Sequence, residues 1–378
     1  MDSKPRFTAL IAGLASVLAL VPVPSSGQDR SLPLTPVCPS CQLELEPLLT
    51  FDSREDSHAL VPLVQGLTFD ARRRVWMAMG ARGPVHVFGA NGELEGTVGR
   101  QGQGPGEFTA PMAVVAFGDS VAVFDPGSGL VSIFDMELGF ARSIRVPGQV
   151  FRGVAGEGSV VIENGSIQTR EAAGYPFHVL DLSTGEVLRS FGGEPGGAFG
   201  PRDLPLMVGF IDRDPVSGDV WTSLRHRPVL QRWDSSGRHI ETVELEMAWF
   251  PQGLRASIRT PSTPPDAAIS GLAHDGRRLW VAFQVPNHDW RRAWTADPPT
   301  SGPFHPRPQD LPARNALFSG RMVVLDADAR QVQGSWDTEL LPALAATPSG
   351  AFVELKDSDS LYPVLTIVRP RPIGLTEP

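Results

Sequence analysis

One short segment of the sequence combines side chains that are suited to ligand capture. It runs from Asn287 to Trp294 and contains His288, Trp290, Arg291, Arg292 and Trp294. Indole rings stack on planar or apolar groups, and guanidinium groups bind carboxylates or phosphates through paired hydrogen bonds. The alternative interpretation is a proline-rich flap, continuing over Pro298 to Pro312, whose tryptophans pack on the rim of the fold. We keep both, with the segment as the leading candidate ligand site.

Two other groups of basic side chains are candidates for the same site. Arg225, His226 and Arg227 precede a proline in a short polar stretch, and Arg100 lies in a glycine-rich stretch together with Glu107. Arginine presents a planar set of donors that matches carboxylate and phosphate groups. The predicted partner is a protein, a peptide or a small molecule of unknown identity.

The glycine-rich stretch from Val98 to Met112 could in principle bind phosphate. A phosphate loop leads into a helix N-terminus and ends in Gly-Lys-Ser/Thr. No such tripeptide ends this stretch, and the residues from Ala113 to Asp125 are β-branched and aromatic, as in a strand. We therefore interpret it as a connector between two β-units, with Phe108 inserted between them. A degenerate copy follows at Phe191 to Pro201.

The elements that carry these residues form a repeat. Six units, each about 40 to 50 residues long, begin with the strands near Leu67, Val114, Gly153, Gly209, Ile269 and Leu344. Each unit has four short strands separated by turn residues, and the fifth carries a long insertion from Gln284 to Gly320. This pattern predicts an all-β, six-bladed β-propeller of four-stranded antiparallel blades. We expect Glu46 to Asp52 or Ala59 to Val64 to close the ring against the last blade.

Large residues recur at fixed strand positions in these units. Trp76, Trp221 and Trp280 occupy the second strand, and Phe88 and Phe134 are examples at the third. We interpret them as core residues that fill the space between blades, because aromatic side chains at regular spacing are suited to that task.

The motif Gly-Gln-Gly-Pro-Gly-Glu-Phe at positions 102–108, between two blades, resembles the six-bladed β-propeller proteins of bacteria related to NHL repeats. The resemblance covers roughly Leu48 to Pro370 and implies the propeller fold. Because such families include binding proteins, lyases and lactonases, it does not select a function.

The resemblance leaves a metal-dependent lyase or lactonase-like hydrolase as the alternative function, with a metal held in the central channel. Candidate groups for such a site are Asp70, Arg152, Glu163, Asn164, Asp212, His226 and His274. They form no repeated ligand set, and neither Gly-x-Ser-x-Gly nor His-Glu-x-x-His occurs. We therefore predict no cofactor, leave Ca²⁺ open, and favour a binding module over an enzyme.

The loop lengths predict where a partner binds. In a propeller, first-to-second and third-to-fourth turns share one face, while second-to-third loops and interblade connectors share the other. Glu163 to Pro176, Leu224 to Pro228, Gln284 to Gly320 and the connector from Ala248 to Ala268 are all of the second kind. Since long loops on a rigid scaffold commonly carry binding residues, we predict the ligand site on that face.

The N-terminus has the pattern of an export signal. Lys4 and Arg6 precede an apolar run from Phe7 to Val23, and cleavage is predicted after Gly27, with an uncleaved anchor as the alternative. We predict a signal peptide at 1–27, an N-terminal segment at 28–47, the propeller at 48–370 and a tail at 371–378. The mature chain is expected to be a periplasmic or secreted monomer without a membrane span.

Cysteine usage and charge agree with that compartment. The two cysteines, Cys38 and Cys41, favour a local disulfide, with a metal or partner site and a redox pair as alternatives. The formal net charge of -9 and the lack of a basic stripe argue against nucleic-acid binding.

Overall fold

A computed structural model of the protein describes residues 28–52, 64–80, 83–156, 158–163, 167, 169, 171–193, 199–200, 207–250, 263–294, 314–339, 344–346, 350–356 and 364–375. The predicted signal peptide, Asn164 and positions 295–313 of the fifth-unit insertion lie outside this part. So does nearly all of the alternative closing segment, 59–64.

Six antiparallel sheets form the fold: blades one to five each have four consecutive strands, and blade six has three consecutive strands joined by the second of two strands that precede the blades. The preceding strands are β1 (Gln28–Pro33) and β2 (Gln42–Asp52). Blade one contains β3 (Gly66–Phe69), β4 (Val75–Ala78), β5 (Val85–Phe88) and β6 (Leu94–Val98). Blade two contains β7 (Ala113–Phe117), β8 (Ser120–Asp125), β9 (Leu130–Asp135) and β10 (Phe140–Arg145). Blade three contains β11 (Arg152–Ala155), β12 (Val160–Glu163), β13 (Phe177–Leu180) and β14 (Val187–Phe191).

The other three blades follow the same plan. Blade four contains β15 (Gly209–Arg213), β16 (Val220–Leu224), β17 (Val229–Trp233) and β18 (His239–Glu246). Blade five contains β19 (Ala268–His274), β20 (Arg278–Pro286), β21 (Phe318–Asp326) and β22 (Val332–Thr338). Blade six contains β23 (Leu344–Ala346), β24 (Ala351–Lys356) and β25 (Val364–Ile373). Within the blade-five insertion lie a 3₁₀ helix (Trp290–Ala293) and the short helix α1 (Arg314–Leu317).

The predicted six-bladed β-propeller is confirmed, and its ring is closed by the N-terminal strand. β2 pairs antiparallel with β25 as the outer strand of blade six, from Gln42 opposite Ile373 to Asp52 opposite Val364. The closing pairing predicted for Glu46 to Asp52 is therefore confirmed. It begins at Gln42, before the predicted start of the propeller at Leu48, and β25 extends past the predicted end at Pro370.

The core consists of hydrophobic clusters that lie between neighbouring blades, one for each of the six interfaces. Trp76, Trp221 and Trp280 are fully buried in the interfaces of blades one and two, four and five, and five and six. Their predicted role as filling between blades is confirmed. Burial of large rings on both sides of each sheet removes much apolar surface from water, and this holds the blades together.

The connector from blade one to blade two inserts an aromatic side chain at this interface. Phe108 is fully buried, and its ring centroid lies 6.0 Å from that of Phe134. Gly99 has a φ of 70°, and a Cβ there would lie 2.3 Å from the Phe108 ring. Only glycine therefore allows both the backbone conformation and the position of Phe108.

The segment before β2 is part of the propeller rim, which the sequence did not predict. β1 pairs in parallel with β18 as a fifth strand of blade four. The chain then crosses the outer strand of blade five, where the Val37 N–H donates to the Val332 carbonyl (2.9 Å), before β2 joins blade six. Cys38 and Cys41 form a disulfide beside this strand, and Trp336 Nε1 donates to the Cys41 carbonyl (2.7 Å). We call residues 28–41 the N-terminal strap.

No helix within the described part of the chain has the length and apolar character needed to cross a bilayer.

Candidate functional site

The two ends of the propeller differ in the connections they carry. Because the strands of each blade alternate in direction, second-to-third loops and interblade connectors lie at one end, which we call the long-loop face. It includes 225–228, 287–294 and 314–317. First-to-second and third-to-fourth turns lie at the other end, the short-turn face, which includes 118–119 and 214–219. The loop at 224–228 and the described parts of the blade-five insertion, 284–294 and 314–320, thus belong to the same face, as expected.

The blade-five insertion has a small core of its own. Trp290 is 8% exposed and packs with Leu317 and Phe318, and Trp294 lies at the edge of this cluster. The Asn287 N–H donates to the Leu317 carbonyl (2.8 Å), which brings the two sides of the insertion together. The indole of Trp290 is therefore a packing group, as in the flap interpretation, and is not presented for stacking with a ligand.

The polar neighbours of Trp290 point to solvent from this core. The guanidinium of Arg291 lies 5.2 Å from the centroid of the Trp290 ring. Arg292 donates to Asp289 (2.9 Å), and the side chains of Arg292 and His288 are 83% and 97% exposed. Of the predicted ligand residues in this segment, His288, Arg291 and Arg292 are thus accessible, while Trp290 positions them.

The 225–227 segment lies beside the central channel, where blades four and five meet. The Arg225 N–H donates to the Val208 carbonyl, and the Arg225 carbonyl accepts from the Ile269 N–H, both at 2.9 Å. Burial lowers the pKa of His226, the positive charge of Arg225 lowers it further, and Asp266 opposes the shift. His226 is therefore neutral near pH 7, so that it offers hydrogen bonds and no charge.

Arg100 is on the long-loop face but across the ring from these residues. It lies in the connector between blades one and two, whereas the 225–227 segment lies where blades four and five meet. Its guanidinium contacts Glu107 at 2.7 Å, and a hydrogen bond from the Gly104 N–H and another from Arg100 lower the pKa of Glu107. The order of the blades around the ring therefore separates Arg100 from the candidate residues of blades four and five, although it lies on the face predicted for it.

At the long-loop end of the channel lies a partly buried ion pair. Arg152 Nη1 is 3.4 Å from Glu163 Oε2, and the guanidinium of Arg152 lies 4.9 Å from the centroid of the Phe210 ring. Glu163 is almost completely buried, and burial raises its pKa while Arg152 opposes the shift. Phe151, Arg152 and Phe210 contribute to the walls of a narrow cavity of about 40 Å³.

The other candidate metal ligands lie at the opposite end. Asp70 follows β3, and Asp212 and His274 are in β15 and β19, all near the short-turn face. The His274 N–H donates to Asp212 Oδ2 (2.6 Å), and burial raises the pKa of Asp212 to about 7. The candidates Asp70, Asp212 and His274 are thus separated from Arg152, Glu163 and His226 by the length of the channel. In the described residues, no group of three or more His, Cys, Asp or Glu side chains could hold a metal ion.

A larger cavity, which the sequence did not predict, opens at the short-turn end of the channel. Its volume is about 340 Å³, and its walls come from the ends of β3, β7, β11 and β15. The turns around this cavity are short, so the loop lengths in the sequence did not indicate it. The size of the cavity depends on how far the inner strands lie from one another at this end of the channel.

Comparison with known structures shows the fold alone. A protein from Bacteroides fragilis that is thought to be exported has a TM-score of 0.56 and 11% identity, over 90% of this chain and 99% of the other. A member of the DUF4221 family from Bacteroides vulgatus has a TM-score of 0.58 and 11% identity, over 87% and 99% of the two chains. No family model matches the sequence, and a search of curated proteins found no match.

Proposed function

We propose that this chain is an exported β-propeller that binds a partner on the long-loop face, over blades four and five. The observation that carries the proposal is the small core under the blade-five insertion. Trp290, Leu317 and Phe318 fix the backbone there, so that Arg291, Arg292 and His288 project from a stable base. Preorganised side chains bind with a smaller loss of conformational entropy than side chains on a mobile loop.

The chemistry of this surface favours a partner with planar acidic groups. Arg291 lies over an indole, which holds its guanidinium in one orientation and leaves its edge available for carboxylate groups. Among the described residues, the acid that contacts Arg292 is Asp289, and the pair is exposed to solvent. An exposed ion pair of this kind contributes little free energy, so the arginine can leave it for a carboxylate of the partner with little loss of free energy.

Export is supported by two features of the chain. The apolar run from Phe7 to Val23 after Lys4 and Arg6 is typical of a signal peptide. The Cys38–Cys41 disulfide suits an oxidising compartment.

Site-specific photo-crosslinking tests the location of the partner. A photoreactive amino acid is placed at Asp289, which is 50% exposed and whose replacement keeps Arg291 and Arg292, or, as the matched control, at Val216, which is 79% exposed on the short-turn face. In cells that export the chain naturally, we expect a discrete crosslinked product from position 289 only. Added unmodified protein should suppress this product, and the Arg291→Ala, Arg292→Ala double variant should not. A product from position 216 alone, or none from 289, would contradict the proposal.

A further inference from the structure

The cavity at the short-turn end of the channel has the size and the walls of a small-molecule site. Its volume of about 340 Å³ falls within the range of about 300 to 1,000 Å³ that is usual for ligand pockets. Most of its wall is apolar, formed by Phe69, Val115, Phe117, Val154 and Pro215. Such walls favour an apolar ligand body, since burial of apolar surface is the main source of affinity in such a pocket.

Among the described residues that line this cavity, one is a cation. Arg213 is the last residue of β15, and its Nε donates to the Gly218 carbonyl at 3.1 Å. Within the described residues its two terminal nitrogens have no hydrogen-bond or ion-pair partner. Gly218 has a φ of 81°, and a Cβ there would lie 2.9 Å from Nη2 of Arg213. The missing side chain at 218 thus leaves space beside the guanidinium.

The other charged residue in the wall is already neutralised. Asp70 accepts from Arg74 Nε (2.7 Å), from Trp76 Nε1 (2.8 Å) and from the N–H groups of Arg72 and Arg74 (2.9 Å each). Its carboxylate therefore has no free capacity to bind Arg213 or a ligand. Arg213 is therefore the charged residue of the described cavity wall that has no counter-ion.

We propose that this cavity binds a small molecule with an apolar body and a single carboxylate, which pairs with Arg213. One guanidinium binds one carboxylate through two parallel hydrogen bonds, whereas a phosphate dianion would need further donors that these walls do not provide. The site is independent of the partner surface on the long-loop face, since it lies at the other end of the channel.

Binding of 3-phenylpropanoate to the purified full chain tests the proposal, with 3-phenylpropanamide as the uncharged control. For a ligand of this size we expect a Kd of about 1 mM or tighter by calorimetry or ligand-observed NMR. The amide should bind about 10-fold more weakly, because it loses the charge-assisted pair. Equal binding of the two compounds, or no binding of the carboxylate, would overturn the proposal.

Two substitutions test whether the carboxylate binds in this cavity. Arg213→Gln should weaken the carboxylate by about 10-fold and leave the amide unchanged, while Arg145→Gln on the outer strand of blade two should change neither. Unchanged carboxylate affinity in Arg213→Gln would overturn the assignment.

Gly118 at the cavity rim offers a second test that does not depend on Arg213. It has a φ of 50°, and no atom lies within 4 Å of a Cβ placed there. Asn and Asp both tolerate such a backbone conformation and have the same shape. At low ionic strength, Gly118→Asp should bind the carboxylate about 3-fold more weakly than Gly118→Asn, since only Asp repels it. Equal affinities would contradict a site at this rim. If Arg213→Gln lowers the melting temperature, the comparison of Gly118→Asp with Gly118→Asn decides whether the carboxylate binds in this cavity.

Discussion

The two faces of this propeller are built differently. On the short-turn face, an aspartate accepts backbone N–H groups in turn after turn, in both the first-to-second and third-to-fourth positions: Asp70, Asp135, Asp181, Asp214, Asp234, Asp275 and Asp326. On the long-loop face of blades three to five, by contrast, the loops differ from blade to blade. The turns of the short-turn face thus share one pattern of hydrogen bonds, while the loops of the long-loop face vary. The larger cavity nevertheless lies at the short-turn end of the channel.

The strongest test of this difference compares two Asp–Arg pairs with the same spacing. Asp70 with Arg74 and Asp234 with Arg238 each have an Nε to Oδ2 distance of 2.7 Å. Asp70→Ala should lower the free energy of unfolding by about 3 kcal/mol, because it leaves the buried Arg74 with the more distant carboxylate of Glu95 (3.8 Å). It also removes the acceptor of the Trp76 Nε1 hydrogen bond. Asp234→Ala should cost about 1 kcal/mol or less, since the guanidinium of Arg238 is exposed. Urea denaturation measures both, and equal losses would contradict the assigned burial.

The second test uses the buried acids at the two ends of the channel. Glu163 has Arg152 as a counter-ion, whereas Asp212 accepts backbone N–H groups and its Oδ1 has no hydrogen-bond partner among the described residues. Burial raises the pKa of Asp212 to about 7, above the unfolded value of about 4. The folded state therefore binds more protons between these values, so the stability contributed by Asp212 falls as the pH rises from about 4 to 7.

Asp212→Asn should remove this loss. The amide oxygen can still accept from the His274 N–H, and the variant should gain about 2 to 3 kcal/mol relative to the parent chain between pH 5 and pH 8. The His274 N–H that donates to this position and Trp221, which lies opposite it in β16, are both retained in the variant. Urea midpoints at both pH values give the difference, and parallel pH profiles for the two proteins would show that Asp212 titrates normally.

The smallest expected effect on stability belongs to the long-loop face. Arg291→Ala and Arg292→Ala together should change the free energy of unfolding by less than about 0.5 kcal/mol, because both side chains are exposed. Trp290→Ala should cost about 2 to 3 kcal/mol locally, since it removes the centre of the small core. Thermal unfolding distinguishes them, and a large loss in the double arginine variant would mean that these residues are structural.

The fold could be predicted because each blade repeats local signals: alternating strands, glycine turns and large residues at fixed positions. The closing pairing of β2 followed from the same alternation. β1 could not be predicted, because its sequence is polar and only Leu32 is buried among its described side chains. A parallel strand at a sheet edge leaves little trace in a hydrophobic pattern.

The candidate site was predicted less well, for a physical reason. The burial of Trp290 depends on Leu317 and Phe318, which lie near the other end of the insertion and come close to Trp290 only in the folded blade. The separation of Arg100 from Arg225 depends on the order of the blades around the ring. The sequence shows which residue types are present in a loop, whereas exposure and distance across the channel arise from the closed propeller.

Hydrogen exchange of the complex with the crosslinked partner tests the central claim most directly. We expect slower exchange on binding in peptides that cover 225–227 and 287–294, and unchanged exchange in peptides that cover 118–119 and 214–218. Protection of the short-turn peptides with none at 287–294 would place the partner on the other face and contradict the proposed function.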